Sequence, residues 1–402
     1  MFPGLLQRRP IPDHMLWADI DRRRRLVERH HLRRTAVEPL DVASAMGAIH
    51  SSDPITPYLG CWARVDGFRL ADLESALYDT RSLLRMHTVR RTLFVVRSDE
   101  SPIFEAAAAR DIARKETDRL ASWLEMAPEK ARGWLDGLSR RVLEALEGTQ
   151  LSVSELTQLV PELGQTLSVG SGKWAATVPL SSRLLYLMAM DGAVVRARPA
   201  GTWRSSQYRW ARTVDWLGSE PKRMDEMEGR IRLAERYIRS YGPVTLTDLR
   251  WWTGWTVAQT RGALSQLDVT NVEVGAGTTG MVLTGDADFE SSSADWVIAL
   301  LPSLDPTVMG WKERDWYLGS HGSELFDSNG NAGPTVWVGG RVVGGWGQDP
   351  AGEVIFGLVE EIDSSIESAV ADEAARLTEW LDGTVVMPRF PSPLGRRLAS
   401  GT

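Results

Sequence analysis

Along most of the chain the apolar positions fall at helical spacing, interrupted by short continuous apolar runs bounded by Gly and Pro. Three segments share an order of apolar, small, acidic and leucine: Leu70-Ala71-Asp72-Leu73, Val153-Ser154-Glu155-Leu156 and Leu246-Thr247-Asp248-Leu249. Ser152 and Thr245 precede the second and third, predicting capped helix starts in which the hydroxyl and the acid each take a backbone amide. In each copy a first helix leads to a second and then to a β-rich stretch, the order of a winged helix. The first copy predicts a helix over 70–78, the stretch 82–85 in the second helix's place, and a strand over 91–96. The second predicts helices over 156–163 and 182–190 and a hairpin from 193–196 through Pro199-Ala200-Gly201 to Trp203. The third predicts helices over 249–252 and 257–267 and strands over 272–274 and 281–283 around Gly275-Ala276-Gly277.

Beyond Trp296 the pattern changes to apolar runs at 297–301, 335–338, 341–344 and 354–359, with Gly339-Gly340 as a two-residue hairpin turn. These predict a small, partly closed β-barrel, followed by a helix over 366–381 and a loose tail. The expected organisation is α+β: N-terminal helices and a first winged helix in 1–135, a second winged helix in 136–222, and a third in 223–290. The barrel with its helix occupies 291–387 and the tail 388–402.

On length alone 402 residues accommodate two to three domains, and 43% hydrophobic with 25% charged residues excludes a disordered chain. No apolar run reaches the roughly 18 residues of a membrane span, so no membrane role is expected. The start, Met1 to Pro10, lacks the pattern of a secretory signal, and a cytoplasmic protein is expected. Cys61 is the sole cysteine and the six histidines have no ligand spacing, so no disulfide, metal or cofactor is expected. Gly170-Ser171-Gly172-Lys173 is not a phosphate loop, because Leu167 and Trp174 stand where glycine and Ser or Thr are required. The 17 tryptophans are read as core and interface residues.

A net charge of −7 argues against a nucleic-acid partner until its distribution is considered. Residues 21–34 carry seven arginines against two acids, while 81–97 and 196–212 each carry five arginines and no acid. Residues 286–402 hold 19 acids against seven bases, so phosphate contacts are expected in the first two thirds of the chain. Arginine, the better bidentate phosphate ligand, supplies all but five of the 46 basic residues.

The stretch 41–57 is the candidate for chemistry. Val42, Ala45, Met46 and Ile49 predict an amphipathic helix capped by Asp41 and ending near His50. Ser51-Ser52-Asp53-Pro54 follows. One reading makes Asp53 a cap, with Pro54 the first residue of a new helix. The other takes the histidine, two hydroxyls and carboxylate at a helix junction as groups able to orient water.

Met46-Gly47-Ala48-Ile49-His50-Ser51-Ser52-Asp53-Pro54, Cys61-Trp62-Ala63-Arg64-Val65 and Arg91-Thr92-Leu93-Phe94-Val95-Val96, in that order, resemble the AlkZ and YcaQ winged-helix DNA glycosylases. So do Tyr241-Gly242-Pro243-Val244-Thr245, Leu300-Leu301-Pro302-Ser303-Leu304-Asp305 and Gly339-Gly340-Arg341-Val342-Val343-Gly344. The resemblance implies three tandem winged helices in a C-shape, a C-terminal β-barrel, and excision of bulky N7-alkylated purines from double-stranded DNA by a monomer. It also implies repair, or self-resistance to a DNA-alkylating natural product, at the nucleoid. The family's motif is Gln, an apolar residue, then Gln or Asp; here His50-Ser51-Ser52 occupies that place and departs at all three positions.

The expected reaction is hydrolysis of the N-glycosidic bond. His50 orients or deprotonates water, Ser52 holds it, and Asp53 stabilises positive charge on the sugar. No lysine is near in sequence, so no Schiff-base step is expected. Arg22, Arg25, Arg33, Arg34, Arg85, Arg90, Arg91, Arg198 and Arg204 are the expected phosphate contacts. The alternative is a non-catalytic winged-helix regulator or lesion-binding protector.

Overall fold

The computed structural model describes residues 16–170, 175–275, 277–287 and 296–400. The N-terminal decapeptide, Ser171-Gly172-Lys173, Ala276 and the last two residues lie outside them. The chain opens with α1 (Asp19–Arg29), α2 (Pro39–Met46), β1 (Ile49–His50), α3 (Thr56–Trp62) and α4 (Leu70–Glu74), then β2 (Leu83–His87) and β3 (Leu93–Arg97). These strands form one antiparallel sheet ordered β1-β3-β2. The helix expected from Asp41 instead starts at Pro39, where Glu38 is the cap and Asp41 takes the Glu38 amide at 3.2 Å. It stops early because Gly47 turns to a φ of 68°, which frees Ile49 and His50 to add to the sheet edge. The stretch 82–85 is strand, not helix: Leu83, Leu84, Arg85 and Met86 are all buried, so both faces are covered and an amphipathic helix would expose half of them.

Helices α5 (Ser101–Phe104), α6 (Arg110–Trp123) and α7 (Pro128–Ala145) lead to α8 (Val153–Leu159), the β4–β5 hairpin (Thr166–Val169, Ala176–Pro179) and α9 (Leu180–Met190). The β6–β7 hairpin (Val194–Pro199, Tyr208–Arg212) closes this second unit, its return strand starting beyond Trp203. After α10 (Thr213–Leu217) and α11 (Glu226–Tyr241), the third unit has α12 (Leu246–Thr253), α13 (Val257–Leu264) and the β8–β9 hairpin (Val269–Glu273, Thr279–Leu283). Both expected capping boxes form: Ser152 Oγ accepts the Glu155 amide at 3.2 Å, and Thr245 Oγ1 accepts that of Asp248 at 3.1 Å.

The last part runs β10 (Ile298–Leu301), α14 (Pro306–Met309), α15 (Asp315–Leu318), α16 (Gly322–Leu325), β11 (Thr335–Val338), β12 (Arg341–Gln348) and β13 (Val354–Leu358). Its sheet is an antiparallel meander, β10-β11-β12-β13, and among the described residues its two edge strands do not pair. It is therefore open where a partly closed barrel was expected. Gly339 and Gly340 form the hairpin turn with φ of 56° and 80°, and a Cβ on Gly340 would sit 2.7 Å from the Arg23 carbonyl of α1. Helices α17 (Ser364–Leu381) and α18 (Pro393–Ser400) follow. The expected loose tail is instead docked: Ser392 and Leu394 are buried, and Leu394 packs against Gly345 and Gly357.

Two main cores result. One runs from the first unit through α11 and α12 into the C-terminal sheet, while α7, α8 and α9 enclose their own around Leu135, Val142, Leu156 and Leu184. A buried ion pair ties the larger core across sequence: Arg64 donates to both Asp305 oxygens at 2.9 and 2.7 Å and to Thr307 Oγ1 at 2.8 Å. His30 is buried in this network, between Thr307 Oγ1 at 2.8 Å and the Ser240 carbonyl at 3.0 Å.

Candidate active site

β1 joins the sheet edge with Ile49 opposite Val95 and His50 opposite Phe94, and the Ser51 amide extends the ladder to Leu93 O at 2.8 Å. The chain then turns through Ser52, Asp53 and Pro54 into α3. Pairing fixes His50 against the β2–β3 hairpin, with its ring edge-on to Phe94 at 5.2 Å. Burial, reinforced by the nearby positive charge of Arg90, pulls the His50 pKa down to about 3. The imidazole is therefore neutral at physiological pH. Its Nδ1 faces the Ser52 amide at 3.4 Å, which makes Nδ1 the acceptor and leaves Nε2 to carry the hydrogen. So weak a base takes protons poorly, and the geometry suits orientation of a reacting oxygen better than proton abstraction.

Ser51 points the other way. Its Oγ accepts from Arg85 Nε at 3.0 Å, and Arg85, 3% exposed, also donates to the Tyr78 hydroxyl and lies 5.2 Å from the Tyr208 ring. Ser52 is half-buried, with its carbonyl taking the Arg389 guanidinium at 3.2 Å. Asp53 is neither an open carboxylate nor the cap of a helix starting at Pro54, since α3 begins at Thr56. Its oxygens accept from the Arg389 amide at 2.8 Å, the Ile55 amide at 3.3 Å and Ser303 Oγ at 3.4 Å. Burial raises its pKa against those donors. Asp53, expected to stabilise a sugar cation, is held by these three donors and fastens the turn to the C-terminal segment.

The arginines divide sharply. Arg25 is 1% exposed, donating to the Gly242 carbonyl at 2.6 Å and Asp286 at 3.1 Å. Arg22 is 6% exposed and stacks on Trp316 at 4.1 Å. Arg34 pairs with Glu373. Arg22, Arg25 and Arg85 are internal ties where phosphate contacts were expected, α1 packing against α15 and the Gly242 turn over Arg22 and Arg25, whereas Arg34 is half-buried. Arg33, Arg91 and Arg204 remain exposed, Arg91 paired to Glu116 at 2.9 Å and Arg204 donating to the Val385 carbonyl at 2.7 Å. Arg198 bridges Glu74 at 2.7 Å and Asp79 at 3.1 Å. Arg90 is half-buried over Trp251 at 4.2 Å.

Sequence reasoning missed Ser303 and Arg389, the clamp on Asp53. The signal for Ser303 was the 300–305 motif, whereas Arg389 sat in a stretch read as tail. A cavity of about 500 Å³ lined by Leu84, Met86, Glu144, Val194 and Arg212 does not include His50, Ser52 or Asp53. Among the described residues no cluster of His, Cys, Asp and Glu could hold a metal ion, and no helix is long and apolar enough to cross a membrane.

The sequence matches the family described as DNA glycosylase AlkZ-like over residues 43–380, and the chain belongs to that family of DNA glycosylases. The fold is shared with the Streptomyces sahachiroi DNA glycosylase AlkZ, at 20% identity and a TM-score of 0.69, covering 91% of this chain and 98% of that one. No curated protein matches the sequence.

Proposed function

We propose that this DNA glycosylase is monofunctional and hydrolyses the N-glycosidic bond of bulky N7-alkylguanine in duplex DNA, in repair or in self-resistance to an alkylating natural product. The α12–α13–hairpin order of the third unit, and the α8 and α9 helices with their closing β6–β7 hairpin in the second, support reading the repeats as tandem winged helices on one duplex. The observation that carries the chemical reading is the neutral His50, paired into the sheet edge where the family motif falls. Alkylation at N7 leaves the purine cationic, so it departs with the bonding electrons and needs no protonation. The barrier lies in the oxocarbenium-like sugar and in placing water at C1′. Imidazole Nε2 and the Ser52 hydroxyl supply hydrogen bonds for that water, which adds its oxygen to C1′ and loses its proton to solvent.

The test is incubation with duplexes carrying N7-methylguanine or a bulky N7 adduct, scoring freed base and alkali-labile sites. Release of the bulky base, leaving an intact abasic strand, is expected. Strand cleavage without alkali contradicts the monofunctional reading. Salt-sensitive binding without release from any adduct moves the protein to the lesion-binding alternative.

A further inference from the structure

Most arginines of this protein are consumed by carboxylates or carbonyls, and two that are not meet at one tryptophan. Arg90 lies 4.2 Å over the Trp251 ring, and Arg314 lies 5.2 Å from the same ring and 4.7 Å from Phe326. Among the described residues neither guanidinium has a carboxylate within 4 Å, and Arg90 Nε is buried with no hydrogen-bond partner. Stacking occupies the face of a guanidinium and leaves its N–H edge free for a planar or tetrahedral oxyanion.

Both side chains are delivered by built features. Arg90 sits at the tip of the β2–β3 hairpin with φ 52° and ψ 29°, next to Arg91 at φ 63°. Two consecutive left-handed non-glycine residues cost free energy, a burden that concentrates at functional sites. Arg314 follows a segment pinned by Asp248, which is 0% exposed and accepts the Lys312 and Glu313 amides at 2.8 and 2.9 Å. Trp251 stands on α12, whose Arg250 is exposed nearby, as is Lys312. The hairpin that carries Arg90 also pairs with His50, through Phe94 and the Ser51–Leu93 hydrogen bond.

We propose that Arg90 and Arg314, held on Trp251, clamp a DNA phosphodiester beside the nucleotide presented to His50. Two like charges sharing one ring repel each other, and a bridging phosphate converts that repulsion into attraction. The clamp joins a hairpin of the first unit to the C-terminal part, so it registers the backbone against the turn. It rests on the glycosylase reading for its purpose, but its binding role can be measured without catalysis.

The experiment is duplex affinity as a function of salt for the full-length protein and the variants Arg90→Asn, Arg314→Gln and their combination. Asn is chosen at position 90 because it tolerates the left-handed backbone. Losing the one clamped phosphate should lower the slope of log K against log salt by about 0.9 in the double variant and by less in each single variant, so that between 50 and 200 mM salt the wild type loses roughly 3.5-fold more affinity than the double variant. Arg90→Lys with Arg314→Lys should restore the slope, which a packing role alone would not. An Arg132→Gln control, remote and paired to Asp118, should leave it unchanged. Should the double variant unfold by circular dichroism, Arg314→Gln alone carries the test, with a drop in slope of up to about 0.9. An unchanged slope in the folded variants, or failure of the lysines to restore it, overturns the clamp. A lowered slope in a protein that excises no base supports the clamp and counts against the catalytic reading alone.

Discussion

Replacing Asp305 by Asn removes one charge from a place with no solvent. Asp305 is 0% exposed and Arg64 1%, and the carboxylate takes both guanidinium hydrogen bonds as well as the Thr307 amide at 2.9 Å. The amide keeps the volume but leaves Arg64 as an uncompensated buried cation, and can accept at only one of its two ends. Breaking a buried pair in this way costs about 3–5 kcal/mol. At roughly 2–4 °C per kcal/mol for a large cooperative unit, the apparent Tm should fall by at least about 6 °C. Because the chain has two main cores, calorimetry should be paired with hydrogen exchange at 56–62, the helix that Arg64 follows. Arg64→Met with Asp305→Leu should be less destabilised than the sum of the single changes, by about 1–3 kcal/mol. A Tm for Asp305→Asn within about 2 °C of wild type, with unchanged exchange, would mean that the Arg64–Asp305 pair does not hold this core together.

Asp53→Ala orphans three donors and should lower stability by about 1–3 kcal/mol, and deletion of 388–402 should slow excision although His50 is intact; a catalytic loss with unchanged stability would return Asp53 to the chemistry. Arg25→Ala should lower the Tm but leave the salt slope of DNA binding unchanged, since its guanidinium is internal. His30, His50 and His87 have pKa values pulled to about 3, by burial first and then by neighbouring arginines. Their unfolded forms titrate near 6.5, so the unfolded chain binds protons first as pH falls. Stability from these groups is complete above about pH 6.5 and is lost progressively toward pH 3. Excision under single-turnover conditions should correspondingly lack a limb near pH 6.5, and a bell-shaped profile centred there would contradict the neutral His50.

The repeated capping pairs were readable because they are local: Ser152 with Glu155 and Thr245 with Asp248 need only three residues of context. The Gly339-Gly340 turn was readable for the same reason. Segment 82–85 was misread because a strand buried on both faces lacks alternation, and only β1 and β3 packed beside it make it a strand. Arginine clusters marked charge correctly but not which of their members fold inward. Whether Arg25 meets a phosphate or Asp286 depends on a contact 261 residues away, which no window contains. His50 was legible as a candidate through its place in the motif, whereas the Arg389 and Ser303 clamp and the Trp251 stack exist only after folding.

The central claim is that a neutral His50 orients the attacking water. Its most direct test is single-turnover excision of an N7-alkylguanine by wild type, His50→Ala and His50→Gln at saturating protein and matched DNA occupancy. His50→Ala should lose about 100-fold or more, and His50→Gln, whose amide is neutral at every working pH and still forms hydrogen bonds, should retain a substantial rate. Equal excision rates for wild type and His50→Ala would contradict that claim.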